Sequence, residues 1–440
     1  MNDNNSYKSQ FAKYVSLNII GMMGISFYIL ADTLFISRAM GSSGLAALNV
    51  NLAVFSIMHG LGLMTGIGGA ARYSILRGLG KREEAAQVFM NSLYIGAVSA
   101  ILLMTAGAFF STEISLLLGA NEETLAHSEV YMTAMLCFSP CFLLNNILLA
   151  FIRNDRGPKI CMAAMLVSSL SNVFLDYIFI FIFRMDMYGA VFATGLSPVI
   201  SMAVLTLHIR SKNNTIRLCR GKVNLDRMIS LIKLGASSFI TELSSAVTII
   251  AFNLVMLKIS GNTGSAAYGI VANTALVASS VFSGISQGVQ PLASSAHGVG
   301  NKNGLARLLR YTAVTVISIS LLIFAAVLAG AEAIASAFNS GNDQSLQEIA
   351  SDGLRIYFAG FLFAGMNIVM SAFYSAVDSA RKAFIISLLR SAAVLVPILI
   401  LFSSFWGNTG VWLSFVAAEL AAFAATSANI ISSRRTGDSC

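Results

Sequence analysis

The chain alternates between long apolar stretches and short polar connections. Twelve stretches hold about 20 or more mostly apolar residues each, which is the length that an α-helix needs to cross a bilayer. They lie at residues 14–36, 45–70, 86–110, 126–152, 160–183, 188–209, 231–256, 265–290, 310–337, 350–376, 383–404 and 408–432. None alternates polar and apolar residues as the strands of a membrane barrel do. The pattern therefore predicts an all-α membrane protein with twelve transmembrane helices, here called spans one to twelve.

The composition supports a membrane protein with many spans. Of the 440 residues, 56% are hydrophobic and only 11% are charged, and the mean hydropathy is +0.76. A soluble fold of this length needs more charge on its surface. The formal net charge of +8 does not indicate nucleic-acid binding, because no basic face is interleaved with aromatic residues.

The Lys and Arg residues predict the orientation of the chain. One set of connections carries Lys8, Lys13, Arg72, Arg77, Lys81, Arg82, Arg153, Arg156, Lys159, Lys302, Arg307, Arg310, Arg381 and Lys382, and the connection 210–227 adds six more. The opposite connections carry only Arg38, Arg184 and Lys258, together with acids such as Glu122, Glu123 and Asp343. Because cytoplasmic loops are enriched in Lys and Arg, we expect both termini in the cytoplasm and the chain in the cell membrane.

The two halves of the sequence repeat each other. The segment GSSGLAALNV at Gly41 matches GNTGSAAYGI at Gly261, which is an offset of 220 residues. The same offset pairs Gly68 with Gly288. The repeat predicts two six-helix bundles related by a pseudo-two-fold axis along the membrane normal. Such parallel repeats are typical of transporters that rock about a central cavity.

The longest polar connection predicts the boundary between the bundles. We expect an amino-terminal bundle at 1–209, a basic cytoplasmic linker at 210–230 and a carboxy-terminal bundle at 231–440. The linker is interpreted as a topological anchor, and binding of anionic membrane lipid is the alternative.

Polar residues inside the apolar spans of the first half are the main candidates for function. Asp32 lies 18 residues into span one and Asp176 lies 16 residues into span five, which places them at roughly 27 and 24 Å along their helices. Asn172 and Thr194 fall in the same outer half of the bundle. Oxygen ligands of this kind suit a proton or Na⁺. Two alternatives stay open: separate interhelical hydrogen bonds, and an Asp32 that merely marks a helix end.

The second half carries its own intramembrane polar residues. Glu242, near the middle of span seven, is a functional candidate, with a structural pairing to Arg390 as the alternative. Glu419 in span twelve is a weaker candidate, and His59 in span two is interpreted as a hydrogen-bonded core histidine. Asn273 and Gln287 join Glu242 as candidates for coupling or substrate binding, and Tyr28, Phe138, Asn145, Phe282, Phe361 and Asn367 are candidates for lining a drug cavity.

No pattern in the chain indicates an enzyme or a resident cofactor. There is no Walker A loop, and GIGG at Gly66 does not lie between a strand and a helix. The five cysteines form no CxxC pair and no metal-ligand spacing with histidine. The polar N-terminus is not typical of a cleavable signal peptide.

Several motifs together resemble the multidrug and toxic compound extrusion (MATE) family, prokaryotic branch, over about residues 10–433. They are ADTLFIS at Ala31, the glycine turn at Gly41, SNVFLDYIFIF at Ser171, YGAVFATGLS at Tyr188 and SQGVQPLASSAHGVGN at Ser286. The resemblance implies that Asp32, Asn172, Asp176 and Thr194 match the family's amino-lobe cation site and that Glu242 matches the acid of span seven. Relatives often have a proline at the position of Asn18; without it, Gly21 and Gly24 are the points at which span one can bend.

The resemblance implies a secondary antiporter, and we expect it to be a monomer. Family members export amphipathic, often cationic, small molecules in exchange for H⁺ or Na⁺, and the coupling ion stays open. A flippase for lipid-linked oligosaccharides is the nearest alternative, but it should line its cavity with several cations. A non-transporting receptor or scaffold would need a soluble module, and no connection here exceeds about twenty residues.

Overall fold

The computed structural model describes residues 3–435 except 121, 123, 213, 220–223 and 340–342. Within this part of the chain every regular element is helical. The predictions that concern Glu123, Arg220 and Lys222 lie outside the described residues, and the bundle boundaries at the linker stay predictions.

The α-helices are numbered in chain order. They are α1 (Asp3–Gly78), α2 (Arg82–Leu117), α3 (Leu125–Cys137), α4 (Ser139–Asn154), α5 (Pro158–Asp176), α6 (Asp186–Leu205), α7 (Leu225–Gly298), α8 (Lys302–Phe338), α9 (Gln344–Tyr357), α10 (Phe361–Ala376), α11 (Ala380–Leu389) and α12 (Ala392–Arg435). A π-helix at Tyr177–Ile182 follows α5, and short 3₁₀ turns occupy Thr206–His208 and Phe358–Gly360.

The two longest helices, α1 and α7, each turn back on themselves at a glycine. Gly41 has φ 64° and ψ −146°, and its repeat mate Gly261 has φ 62° and ψ −150°, a conformation open essentially to glycine alone. Past the break in α7, the Ser265 hydroxyl donates to Asn253 Oδ1 at 2.5 Å. In a straight helix, residues twelve apart would be roughly 18 Å apart. The chain therefore reverses direction, as the repeat predicts.

The described helices account for twelve crossings. Nine are long and apolar enough to span a membrane, and the bent pair α3–α4 makes ten. One stretch, Leu225–Gly298, reverses at Gly261, and another, Ala380–Ser427, contains the break at Gly407. Ten plus these two gives the twelve spans that the sequence predicts.

Several of the predicted spans are not one continuous α-helix. Span four divides at Phe138, where α3 and α4 meet at 50°, because Pro140 favours the first turn of a new helix. Span five passes from α-helix to π-helix after Asp176. Span eleven divides at Arg390, between α11 and α12. Hydropathy does not reveal such breaks, since each span stays apolar on average even where Ser139 or Arg390 lies at the break.

Symmetry-related glycines bring the two bundles into backbone contact. A Cβ added at Gly288 of α7 would lie 2.7 Å from the Cα atom of Val15 in α1. A Cβ added at the repeat mate Gly68 would meet Gly235 of α7, which is itself the repeat mate of Val15. The contact of Gly288 with Val15 and the contact of Gly68 with Gly235 are therefore equivalent, with each residue paired to its repeat mate 220 positions away. This arrangement is the pseudo-two-fold symmetry of the fold.

The bundles contact each other at the end of the molecule that carries the basic connections, here called the basic end. Asn154 donates to Gln290 at 2.9 Å, and Arg72 pairs with Asp378 at 2.9 Å. Nearby, a Cβ at Gly78 would lie 2.8 Å from the Gly298 carbonyl carbon. The basic end is therefore closed in this conformation.

Candidate functional site

The four polar residues singled out in the first bundle lie together. The Nδ2 atom of Asn172 donates to the Thr194 hydroxyl at 3.4 Å. The carboxyl groups of Asp32 and Asp176 are close enough to interact electrostatically. All four side chains are buried, at 7% exposure or less. The structure thus brings residues of α1, α5 and α6 into one cluster, here called the oxygen cluster (Asp32, Asn172, Asp176 and Thr194).

Several oxygens of this cluster have no protein partner. Asp32 Oδ1, Asn172 Oδ1 and both carboxyl oxygens of Asp176 are buried and accept no hydrogen bond from the protein. A buried polar atom without a partner costs about 1–3 kcal/mol, and more when it is charged. A bound proton or a hard cation would satisfy these atoms, since the set contains only oxygen acceptors.

Local helix geometry presents Asp176 to the cluster. Asp176 is the last residue of α5, and the π-helix begins at the next residue. Single π turns inside helices are rare and are frequent at functional sites. The wider turn changes the helical phase after Asp176. Asn172, four residues earlier, stays on the same face of α5.

Two tyrosines complete the surroundings, one predicted and one missed. The Tyr28 hydroxyl, a predicted cavity residue, interacts electrostatically with Asp32 and Asp176. Tyr131 of α3 is buried, and its hydroxyl lies within interaction range of Thr194 and of the two carboxyl groups. Sequence reasoning missed Tyr131 because a tyrosine in an apolar span carries no signal of what it faces. Only the packing of α3 against α6 reveals it.

Glu242 lies apart from the oxygen cluster, at the contact between the bundles. Its Oε2 atom is 3.3 Å from His59 Nδ1 of α1, and both side chains are about one-third exposed. The His59 ring stacks on Phe55 with ring centroids 5.8 Å apart. The predicted alternative, a pairing of Glu242 with Arg390, is wrong, because Arg390 has another partner. His59 has a partner, as its interpretation requires, but this partner is an acid of the other bundle and the side chain is partly exposed rather than in a core.

Arg390 and Glu419 form a buried ion pair inside the second bundle. The Arg390 Nη2 atom is 2.8 Å from Glu419 Oε1, and Nε is 2.9 Å from Oε2. Asn367 Nδ2 donates to the same carboxyl group at 2.8 Å. The pair borders a cavity of about 200 Å³ that Phe361, Tyr357 and several hydroxyl side chains also line.

The other predicted residues are distributed over both bundles. Phe138 packs on Phe192, with ring centroids 5.7 Å apart, and its ring lies against Gly195, the chain neighbour of Thr194 in the oxygen cluster. Asn145 of α4 has a buried Oδ1 without a partner. Phe282 is fully buried in the core of the second bundle, Gln287 donates to the Met22 sulfur across the bundles at 3.5 Å, and Asn273 is half-buried in α7. Only Phe138 and Tyr28 thus accompany the oxygen cluster.

A second polar cluster, which sequence reasoning also missed, lies at the basic end around Asp155. Its buried carboxylate accepts from Arg77 at 2.5 Å, from His208 Nε2 at 3.0 Å and from the Thr215 backbone N–H at 2.7 Å. Burial alone raises the pKa of Asp155, but the bonds from His208 and Thr215 and the charge of Arg77 lower it below its ordinary value. Asp155 therefore fastens the start of the linker to α1 and α6.

Oxygen ligands dominate the candidate site, and sulfur and imidazole are absent from it. Among the described residues, no three His, Cys, Asp or Glu side chains come together as a metal site. The oxygen cluster instead combines two carboxylates with an amide and a hydroxyl. It can take up a proton or a monovalent hard ion, and it contains no nucleophile–base pair.

Known proteins share this architecture. The MatE family model matches residues 18–178 and 237–401, one stretch in each bundle. The multidrug export protein MepA of Staphylococcus aureus is 27% identical over 410 residues, with 92% of this chain and 90% of that protein covered. MepA of Staphylococcus saprophyticus is 26% identical over 410 residues, again with 92% of this chain and 90% of that protein covered.

The fold is also that of solved transporters. A multidrug resistance MATE family transporter of the MOP superfamily, in an outward-facing conformation, superposes with a TM-score of 0.89 at 21% identity, and the match covers 98% of this chain and 97% of that one. Since the matched family model spans most of the chain, in both bundles, this protein belongs to the MatE family of membrane transporters.

Proposed function

We propose that this transporter is a secondary antiporter that exports amphipathic, cationic compounds in exchange for H⁺ or Na⁺ bound at the oxygen cluster. The observation that carries the proposal is the set of buried, unpartnered oxygens on Asp32, Asn172 and Asp176. A static structural role would pair these atoms with protein donors, as happens to Glu419 in the second bundle.

Two neighbouring carboxyl groups cannot both stay charged and unpaired in a buried site without a large penalty. Uptake of one ion between Asp32 and Asp176 removes that penalty. A proton would give one carboxyl group a donor, whereas Na⁺ would take oxygens from Asn172 and Thr194 as well. In either case the ion stabilises the packing of α1 against α5 and α6.

Exchange follows if the ion and the drug favour different arrangements of the bundles. An ion shifts the equilibrium only by its difference in affinity for the two facing states. By linkage, drug binding then weakens ion binding by the same factor. The bundles are closed at the basic end, and the oxygen cluster lies in the opposite half of the first bundle. This separation supports two states that open at opposite ends.

Charge distribution supports the orientation and the class of cargo. The excess of Lys and Arg at the basic end favours a cytoplasmic position for that end, so an opening at the other end would face outside. Arg390 is neutralised by Glu419, which counts against a cationic cavity for lipid pyrophosphate. The names of the Staphylococcus relatives support drug export.

Efflux from vesicles tests the proposal. Wild type, Asp32→Asn and the control Asp352→Asn, an acid that is 68% exposed on α9, are reconstituted and loaded with a fluorescent organic cation. The pH gradient and the Na⁺ gradient are imposed separately. We expect one gradient to drive efflux in wild type and the control but not in Asp32→Asn. Unimpaired gradient-driven efflux by Asp32→Asn would refute the proposed site.

A further inference from the structure

A second pocket lies at the basic end of the first bundle, away from the oxygen cluster. It has a volume of about 240 Å³ and lies between the start of α1, the turn from α4 to α5 and the end of α6. Lys13, Arg156, Lys159, Gly157 and His208 are among the residues that line it. It is here called the basic pocket.

The basic pocket has an uncompensated positive charge. Lys13, Arg156 and Lys159 form no ion pair with any described carboxylate within 4.0 Å. The nearest buried acid, Asp155, already accepts from Arg77 and His208. Three cations that face one cavity repel each other, and an anion between them relieves that repulsion.

The floor of the pocket offers hydrogen-bond donors for an anion. Helix α5 begins there, with Gly157 at its N-cap and Pro158 in its first turn, and no side chain caps it. The first N–H groups of an α-helix have no partner within the helix and carry a partial positive charge. A phosphate is a common ligand for such a helix end.

A buried histidine supplies independent evidence for a ligand. His208 is 1% exposed, and its Nε2 atom is bonded to Asp155 Oδ2. Its other ring nitrogen, Nδ1, is buried without a hydrogen-bond partner. It lies beside Gly157, where a Cβ would come within 2.9 Å of it. With Nε2 bonded to Asp155, Nδ1 is the ring nitrogen left to hydrogen-bond to a ligand in the pocket.

We propose that the basic pocket binds a phosphate group, held by Lys13, Arg156, Lys159, the start of α5 and His208. The group belongs either to an anionic lipid headgroup or to a free phosphate ion. Leu207 and Ile209, which flank His208 in the chain, are 56% and 68% exposed. Exposed apolar side chains this close in the chain to the pocket suit a lipid, whose acyl chains would cover them.

Occupancy of the basic pocket would reach the contact between the bundles. Lys13 lies two residues before Val15, and the backbone of Val15 packs against Gly288 of the second bundle. A phosphate that joins Lys13 to the start of α5 therefore fixes the first turns of α1 at the closed basic end.

Native mass spectrometry of the purified, delipidated full-length protein tests the site. Phosphatidylglycerol, phosphatidylcholine and inorganic phosphate are titrated separately. The variant is Lys13→Gln/Arg156→Gln/Lys159→Gln. Its control, Arg307→Gln/Arg310→Gln/Arg381→Gln, removes the same charge from exposed residues of the second bundle. The single variant Lys159→Gln and thermal unfolding without ligand verify folding.

We expect phosphatidylglycerol to bind wild type and the control alike, and the pocket variant about a hundredfold more weakly. This figure follows from roughly 1 kcal/mol per lost cation, with 1.4 kcal/mol for each factor of ten. If inorganic phosphate binds wild type as well as phosphatidylglycerol does, and the pocket variant loses it, the ligand is free phosphate. Equal weakening in both triple variants, or no phosphate-bearing ligand on wild type, would overturn the proposal.

Discussion

The substitution Gly288→Ala tests how the closed basic end is held together. An alanine Cβ would lie 2.7 Å from Val15 Cα and 2.9 Å from the Tyr14 carbonyl oxygen. Ordinary contacts of this kind are about 3.5–4.0 Å. Because the opposing atoms belong to the backbone of α1, no side-chain rotation can relieve the clash. The helices α1 and α7 must separate.

The size of the effect follows from the cost of overpacking. An extra methyl group in a tight contact costs about 1–3 kcal/mol. The contact joins the bundles at the basic end, so the cost falls on the state in which that end is closed. At 1.4 kcal/mol for each factor of ten, the population ratio of closed to open states should fall roughly 5- to 150-fold.

Distance measurements between spin labels report this change. One label replaces Lys81 at the start of α2 and the other replaces Arg381 on α11, both exposed at the basic end, after replacement of the native cysteines. Wild type should give a short distance, and Gly288→Ala should add a longer population.

A matched control lies in the same helix. A Cβ at Gly269 of α7 meets no atom within 4 Å, so Gly269→Ala should leave the distances unchanged. If Gly288→Ala also gives the wild-type distance distribution, the backbone contact does not determine closure of the basic end.

Other predictions concern the ion pairs. Arg390→Met should lower the free energy of unfolding by about 3–5 kcal/mol, because it leaves the buried Glu419 carboxylate without its cation. The double variant Arg390→Met/Glu419→Gln should recover part of this loss. Thermal unfolding in detergent measures both variants. The pKa of Asp155 is lower in the folded protein than in the unfolded chain, so its ionised form stabilises the fold. This contribution is complete above the unfolded-state pKa of about 4 and is lost as the pH falls through the folded-state pKa. Unfolding of Asp155→Asn should therefore depend less on acid pH than that of wild type; an identical pH dependence would contradict this role. A double-mutant cycle of His59→Phe and Glu242→Gln should give a coupling below about 1 kcal/mol, since both side chains are partly exposed.

The sequence predicts those features that depend on local chemistry. Hydropathy is sufficient for the spans, and only glycine adopts the backbone angles at Gly41 and Gly261, so the reversals coincide with the repeated glycines. The cost of a carboxylate in lipid identified Asp32 and Asp176 as candidates, and the fold brings them together. Each of these signals is carried by one residue type in one segment.

Features that depend on how helices rotate against each other were not predictable. Tyr131 faces Thr194 only because α3 packs on α6 with a particular phase. The partner of Arg390 is decided by the break between α11 and α12, which places its guanidinium on Glu419 rather than near Glu242. The π-helix after Asp176 likewise has no hydropathy signature. A single sequence specifies each side chain but not the phase between helices.

Ion release on drug binding tests the central claim most directly. Drug is added to the purified transporter in weakly buffered detergent solution, and released H⁺ or Na⁺ is followed with a pH indicator or an Na⁺-selective electrode. We expect wild type to release about one ion per bound drug and the variant Asp32→Asn/Asp176→Asn to release none. Equal release from the double variant, or drug binding to wild type with no release of either ion, would contradict exchange at the oxygen cluster.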